Sequence, residues 1–83
     1  MDKNRFVTLT IHERAAFLWQ YGEYISTIHD GGFRIRLYII NSLLVEVFYN
    51  EATNVIEYID LIDICHERLN LYTADVNLAD LNS

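Results

Sequence analysis

The chain has 83 residues, 52% of them hydrophobic and 22% charged, with three glycines and no proline. That length supports one small domain with a core and is too short for two, and the composition excludes collagen-like, linker-like and disordered chains. One cysteine, Cys65, rules out an internal disulfide and any zinc site built on two or more thiolates.

The net charge of −6 is unevenly placed. Residues 1–36 hold five basic and four acidic side chains, whereas residues 37–83 hold Arg68 alone against eight carboxylates. Such a half repels a phosphate backbone, so no nucleic-acid partner is expected. It suits a solubilising surface, or a patch for a basic protein. Met1-Asp2-Lys3-Asn4-Arg5 contains no apolar run of signal length, and Leu37–Ile40 and Leu43–Val45 are far shorter than a membrane span. The expectation is a cytoplasmic protein with no membrane partner, its lone thiol suited to a reducing compartment.

Thr10-Ile11-His12-Glu13 has capping-box spacing. A helix is expected to follow through about Tyr21, with Gly22 in a left-handed conformation just beyond it. Ile11, Ala15, Leu18, Trp19 and Gly22 fall on one helical stripe, and Phe6 and Val7 pack beside it as an irregular lead-in. Tyr24–His29 and Phe33–Ile40 flank Asp30-Gly31, a dipeptide suited to a type I′ hairpin turn. That turn pairs Ile28 with Phe33 and Ser26 with Ile35. One face of the ribbon then carries Tyr24, Ser26, Ile28, Phe33, Ile35, Leu37 and Ile39, and the other Ile25, Thr27, His29, Arg34, Arg36, Tyr38 and Ile40.

A third strand spans Leu44–Tyr49. A two-residue loop before it would set Glu46 opposite Leu37 on an apolar face, whereas an odd loop centred on Ser42 sets Glu46 opposite Tyr38 and diagonal to Arg36. The odd loop is therefore expected, pairing Ile39 with Val45, Leu37 with Val47 and Ile35 with Tyr49. A loop at residues 50–54 leads to a fourth strand over Val55–Asp60. A helix then starts near Asp60 or Asp63 and ends near Tyr72, the spacing of Glu57, Asp60, Asp63 and Glu67 being helical. The expected fold class is α+β: an N-terminal helix, a four-stranded antiparallel meander and a C-terminal helix in two layers. Residues 1–72 form the domain, and residues 73–83 a partly ordered tail.

The run Leu18-Trp19-Gln20-Tyr21-Gly22-Glu23-Tyr24-Ile25, then Leu37-Tyr38 and Val45-Glu46-Val47-Phe48-Tyr49-Asn50, resembles small bacterial α+β proteins with no assigned activity. The resemblance covers about residues 5–62 and rests on core and turn positions. It implies a bacterial α+β domain and transfers no functional residue.

Chemical signatures are sparse. Cys65 and His66 are adjacent, so on a helix they point apart, and the expectation is a buried thiol beside an exposed imidazole. His12-Glu13-Arg14 and His66-Glu67-Arg68 repeat a tripeptide, but Ala16 and Asn70 stand where a zinc helix needs its second histidine. His29-Asp30-Gly31-Gly32 joins two strands and opens no helix, so it reads as a turn rather than an anion cradle. Phe33-Arg34-Ile35-Arg36-Leu37-Tyr38 mixes rings with cations, yet Phe33 and Tyr38 fall on opposite faces, which argues against a single-strand platform. No catalytic, cofactor or metal residue is assigned. The second sheet face, with Ile25, Tyr38, Ile40, Leu44 and Phe48 among Arg34, Arg36 and Glu46, is too apolar to stay wet, so either the C-terminal helix or another chain covers it. The expected function is a non-enzymatic interaction module, homodimeric through that face or bound there by another protein. The alternative is an acidic, antitoxin-like inhibitor docking residues 46–80 on a basic protein, and a third class is an enzyme or ligand carrier with a pocket near Tyr49, Tyr58 and Cys65.

Overall fold

Thr10 starts the main helix as its spacing predicts: its hydroxyl accepts from the Glu13 amide (3.2 Å), and the Glu13 carboxylate accepts from the Thr10 amide (2.9 Å). In a computed structural model that describes residues 3–72, the elements are α1 (Lys3–Val7), α2 (Ile11–Tyr21), β1 (Glu23–Asp30), β2 (Phe33–Ile40), β3 (Leu43–Asn50), β4 (Ile56–Ile62) and a 3-10 helix (Glu67–Tyr72). The strands form one antiparallel meander in the order β1-β2-β3-β4, and the α+β class is as expected. The tail expected at residues 73–83 lies outside the described residues. No helix among the described residues is long and apolar enough to cross a membrane.

Gly22 ends α2 for a different reason from the one expected. Its backbone is extended (φ −80°, ψ 154°) rather than left-handed, and its amide closes on the Leu18 carbonyl. A Cβ at this position would lie 2.8 Å from the Leu18 oxygen, so close approach of backbone, not positive φ, requires glycine. Gly22→Ala is expected to lower stability by about 1–2 kcal/mol through local strain. Urea unfolding checks this, and an unchanged midpoint would show that the turn relaxes freely.

The two hairpin turns explain the sheet. The β1–β2 turn uses Gly31 and Gly32, both at positive φ (57° and 83°), rather than Asp30 and Gly31. A type I′ turn needs two consecutive left-handed residues, and here they are the two that lack Cβ. Pairing moves by two positions, to Ile28 opposite Ile35 and Ser26 opposite Leu37, a shift that preserves faces. A bulge at Ile25 then sets Tyr24 opposite Tyr38 and sends Ile25 to the other side, reversing their expected faces.

The β2–β3 turn is the two-residue Asn41-Ser42, again with both φ positive (45° and 67°). The expected odd loop is wrong: Ile40 faces Leu43, Leu37 faces Glu46 and Ile35 faces Phe48. Glu46 thus enters the apolar face, because a cation and a phenol meet it there.

The sheet has a core on each side. Phe6, Leu18, Tyr38, Ile40, Val45, Val47 and Ile59 cluster beneath α1 and α2, while Ile35, Leu37, Leu44, Ile62, Leu69 and Tyr72 cluster beneath the 3-10 helix. Each fully buried aliphatic or aromatic side chain contributes about 1.5–3 kcal/mol. Helices α1 and α2, rather than the C-terminal element, therefore cover the Tyr38 face, and Trp19 on the α2 stripe stays 51% exposed, its ring 5.6 Å from that of Tyr38.

The segment after β3 also departs from expectation. Residues 60–62 belong to β4, paired as Asp60 with Glu46 and Ile62 with Leu44. The helical spacing of the four acids is overridden because strand pairing buries Ile59 and Ile62, which a solvated helix would not. The chain leaves β4 through a turn in which the Asp63 carboxylate accepts from the Cys65 amide (2.9 Å). Six residues of 3-10 helix follow, with Leu69 and Tyr72 buried. Cys65, expected to be core, is exposed.

Candidate functional site

The side chains expected to form one interface are divided by the sheet. Arg34, Arg36, Tyr38 and Ile40 lie on the α2 side, and Ile25, Leu44, Glu46 and Phe48 on the side of the 3-10 helix. The β2–β3 register separates them. Tyr38, Ile40, Leu44 and Glu46 are buried, whereas Ile25, Arg34, Arg36 and Phe48 are half-buried.

On the 3-10 side the buried centre is ionic. The Glu46 side chain is 1% exposed and receives a bidentate guanidinium: Arg68 donates through Nε to Oε2 (2.9 Å) and through Nη2 to Oε1 (2.6 Å). The Tyr72 hydroxyl donates to Oε2 at 2.9 Å. Burial, and then the Glu46 charge, hold the Tyr72 phenol well above its ordinary pKa, while hydrogen bonding to Glu46 raises Arg68. Every one of these donors stabilises a carboxylate anion, so the group is built as an ion pair rather than as a proton donor.

Beyond that centre the face is aromatic. Phe33, Phe48 and Tyr58 form an edge-to-face triad with centroids 5.7–6.0 Å apart, and Tyr58 is 51% exposed. The Arg68 guanidinium lies over Phe48.

The α2 side carries a different surface. The Arg34 and Arg36 guanidiniums lie 4.9 and 5.1 Å from the centroid of one ring, Tyr49. Arg34 donates to the Asn54 amide oxygen (2.7 Å), and hydrogen bonding to Tyr38 raises Arg36 above its ordinary pKa. Burial raises the Tyr49 phenol. Tyr24 packs edge-on to Tyr38 and hydrogen-bonds Thr27 through its hydroxyl (2.7 Å). His29, opposite Arg34 on β1, is held by Glu51.

The remaining chemical candidates do not converge. His66 Nδ1 accepts from the Arg68 amide (3.0 Å), which turns that nitrogen into the backbone rather than toward Cys65. Tyr49 and Tyr58 face opposite sides of the sheet, so the pocket expected between them and Cys65 does not form. Among the described residues no group of three or more His, Cys, Asp or Glu could hold a metal ion. Sequence reasoning missed Arg68 and Tyr72 as partners of Glu46, although Arg68 was the sole cation of the acidic half. Comparison with protein-family models, with curated proteins and with solved structures finds no match.

Proposed function

We propose that this protein is a non-enzymatic interaction module that pairs with a second copy of itself through the sheet face bearing Phe33, Phe48 and Tyr58. The observation that carries the reading is the edge-to-face triad, with Tyr58 exposed and Phe33 and Phe48 half-buried, beside a 3-10 helix that covers only part of its face. Aromatic clusters rimmed by charge are the usual centre of a protein interface. A two-fold axis through such a patch sets each triad against its own copy and leaves no further surface for growth, as closed dimers require. The reading places the protein in a bacterial cytoplasm, where the exposed Cys65 thiol stays reduced.

Sedimentation at micromolar concentration is the test. The expected result is a dimer that Tyr58→Asp converts to monomer, with thermal stability kept because Tyr58 is half exposed. A parent protein that remains monomeric would overturn the reading. Exposed Glu57, Asp60, Asp63 and Glu67 along β4 and the following segment favour a second one, an acidic inhibitor of a basic protein. It predicts binding that weakens as salt rises.

A further inference from the structure

On the opposite face, independently of self-association, we propose that the α2 side of the β1–β2 ribbon binds a short single-stranded nucleic acid, its phosphates at Arg34 and Arg36 and its bases on Trp19 and Tyr24. The first observation is electrostatic. The two guanidiniums converge on the Tyr49 ring, and neither has a carboxylate partner among the described residues. Arg34 Nε is moreover buried with no acceptor. Two like charges brought together in a half-buried site repel each other, and an anion beside their accessible Nη groups relieves the repulsion.

The second observation is the row of rings continuing along the same face. From Arg34 and Arg36 the strand leads to Tyr38, flanked by Tyr24 and Trp19. Trp19 and Tyr24 are 51% and 57% exposed. Tyr24 is anchored through its hydroxyl to Thr27, so its ring is oriented before any ligand arrives. Cations two residues apart on a strand are separated by about 6.7 Å, comparable to successive phosphates in an extended single strand. Guanidiniums that track a backbone beside exposed rings that stack bases are how sequence-tolerant single-strand binders work. A purely acidic peptide would use the arginines but gain little from the rings.

The acidic composition had argued against this class. Its weight falls because two of the carboxylates are paired away from the arginines, Glu46 with Arg68 on the other side of the sheet and Asp60 on β4 with Arg14. Glu51 is held by His29. Phe33 and Tyr38 lie on opposite faces as expected, but the expected placement of Tyr24 and Tyr49 away from the two arginines is overturned, for Tyr24 by the β1 bulge and for Tyr49 by the two-residue β2–β3 turn.

Trp19 is the only tryptophan, so its emission reports the site directly. Titration with an oligouridylate of about eight nucleotides should quench Trp19 saturably, with Kd on the order of 10–100 µM at low salt. Replacing both arginines (Arg34→Gln with Arg36→Gln) should weaken binding about tenfold or more and flatten the salt dependence by about 1.4 in log–log slope. Tyr24→Leu should weaken it about fivefold or more with the slope kept. Circular dichroism and the thermal midpoint confirm that each variant is folded. Emission unchanged to about 1 mM oligonucleotide overturns the proposal. Equal competition by polyglutamate, or a Tyr24→Leu variant that binds as the parent does, overturns it in favour of an acidic polypeptide.

Discussion

Arg68→Met is expected to destabilise the protein by about 3 kcal/mol or more, while the double variant Glu46→Leu with Arg68→Met is more stable than that and falls about 1–2 kcal/mol short of the parent, the cost of the acceptor that the buried Tyr72 hydroxyl loses. Removing the guanidinium alone strands a carboxylate that is 1% exposed opposite Leu37, with the Tyr72 hydroxyl as its one remaining side-chain donor among the described residues. Removing both charges leaves an apolar pair in an apolar face, with no buried carboxylate left unpaired. Arg68→Lys should fall between the two, since an ammonium cannot reproduce the fork that reaches both oxygens. Urea midpoints at constant m-value measure all three. A single variant as stable as the double would show that Glu46 is not held as a buried anion.

The same centre sets an alkaline limit. The Tyr72 phenol titrates higher in the folded chain than in the unfolded one, so above the unfolded value of about 10 the unfolded state releases a proton that the native state retains. Stability is therefore fully present below about pH 10 and falls as pH rises beyond it. Tyr72→Phe removes this dependence but gives up one hydrogen bond to a charged acceptor at neutral pH. Its stability curve should lie below the parent's at pH 7 and approach it at high pH.

What could be read from the chain followed the range of each interaction. The Thr10–Glu13 cap is contained within four residues and was legible in full. The glycine-bearing turn and alternating strands announced the meander, and the error of one position in that turn cost nothing because partners moved in steps of two. Glu46 was misread because its burial depends on Arg68 and Tyr72, 22 and 26 residues away. Judged only against its neighbours on the sheet, a glutamate opposite Leu37 looks forbidden, and the odd loop follows. That one parity choice then moved Leu44 and Phe48 to the wrong face and scattered the expected interface. Asn41 and Ser42 can both adopt positive φ, so the shorter turn carried no local penalty to signal the error. The segment around Asp60 was misjudged for a related reason: periodicity counts spacing, while β3 offers Ile59 and Ile62 a partner that spacing does not see.

Arg14→Met is expected to cost about 2–4 kcal/mol, although Arg14 lies on the helix surface and its only ion pair among the described residues is with a largely exposed Asp60 (59%). The guanidinium matters because of carbonyls. Nη1 donates to Ile59 at 2.6 Å, Nη2 to Val7 at 3.1 Å and Nε to Leu9 at 3.1 Å, and the group lies over the ring of fully buried Phe6. Val7 and Leu9 lie at and beyond the end of α1, where carbonyls lack helical partners, and five residues are too few to hold a helix alone. Ile59 belongs to β4, the edge strand, whose free carbonyl would otherwise invite another strand. One side chain thus ties α1, the approach to α2 and the sheet edge together. Asp60→Asn should cost less than about 0.5 kcal/mol, and Arg14→Lys should recover under half of the loss, because a single ammonium cannot serve three separated acceptors. Hydrogen exchange should show the α1 amides opening first in Arg14→Met. If Asp60→Asn costs as much as Arg14→Met, the ion pair rather than the carbonyl contacts secures this corner of the fold.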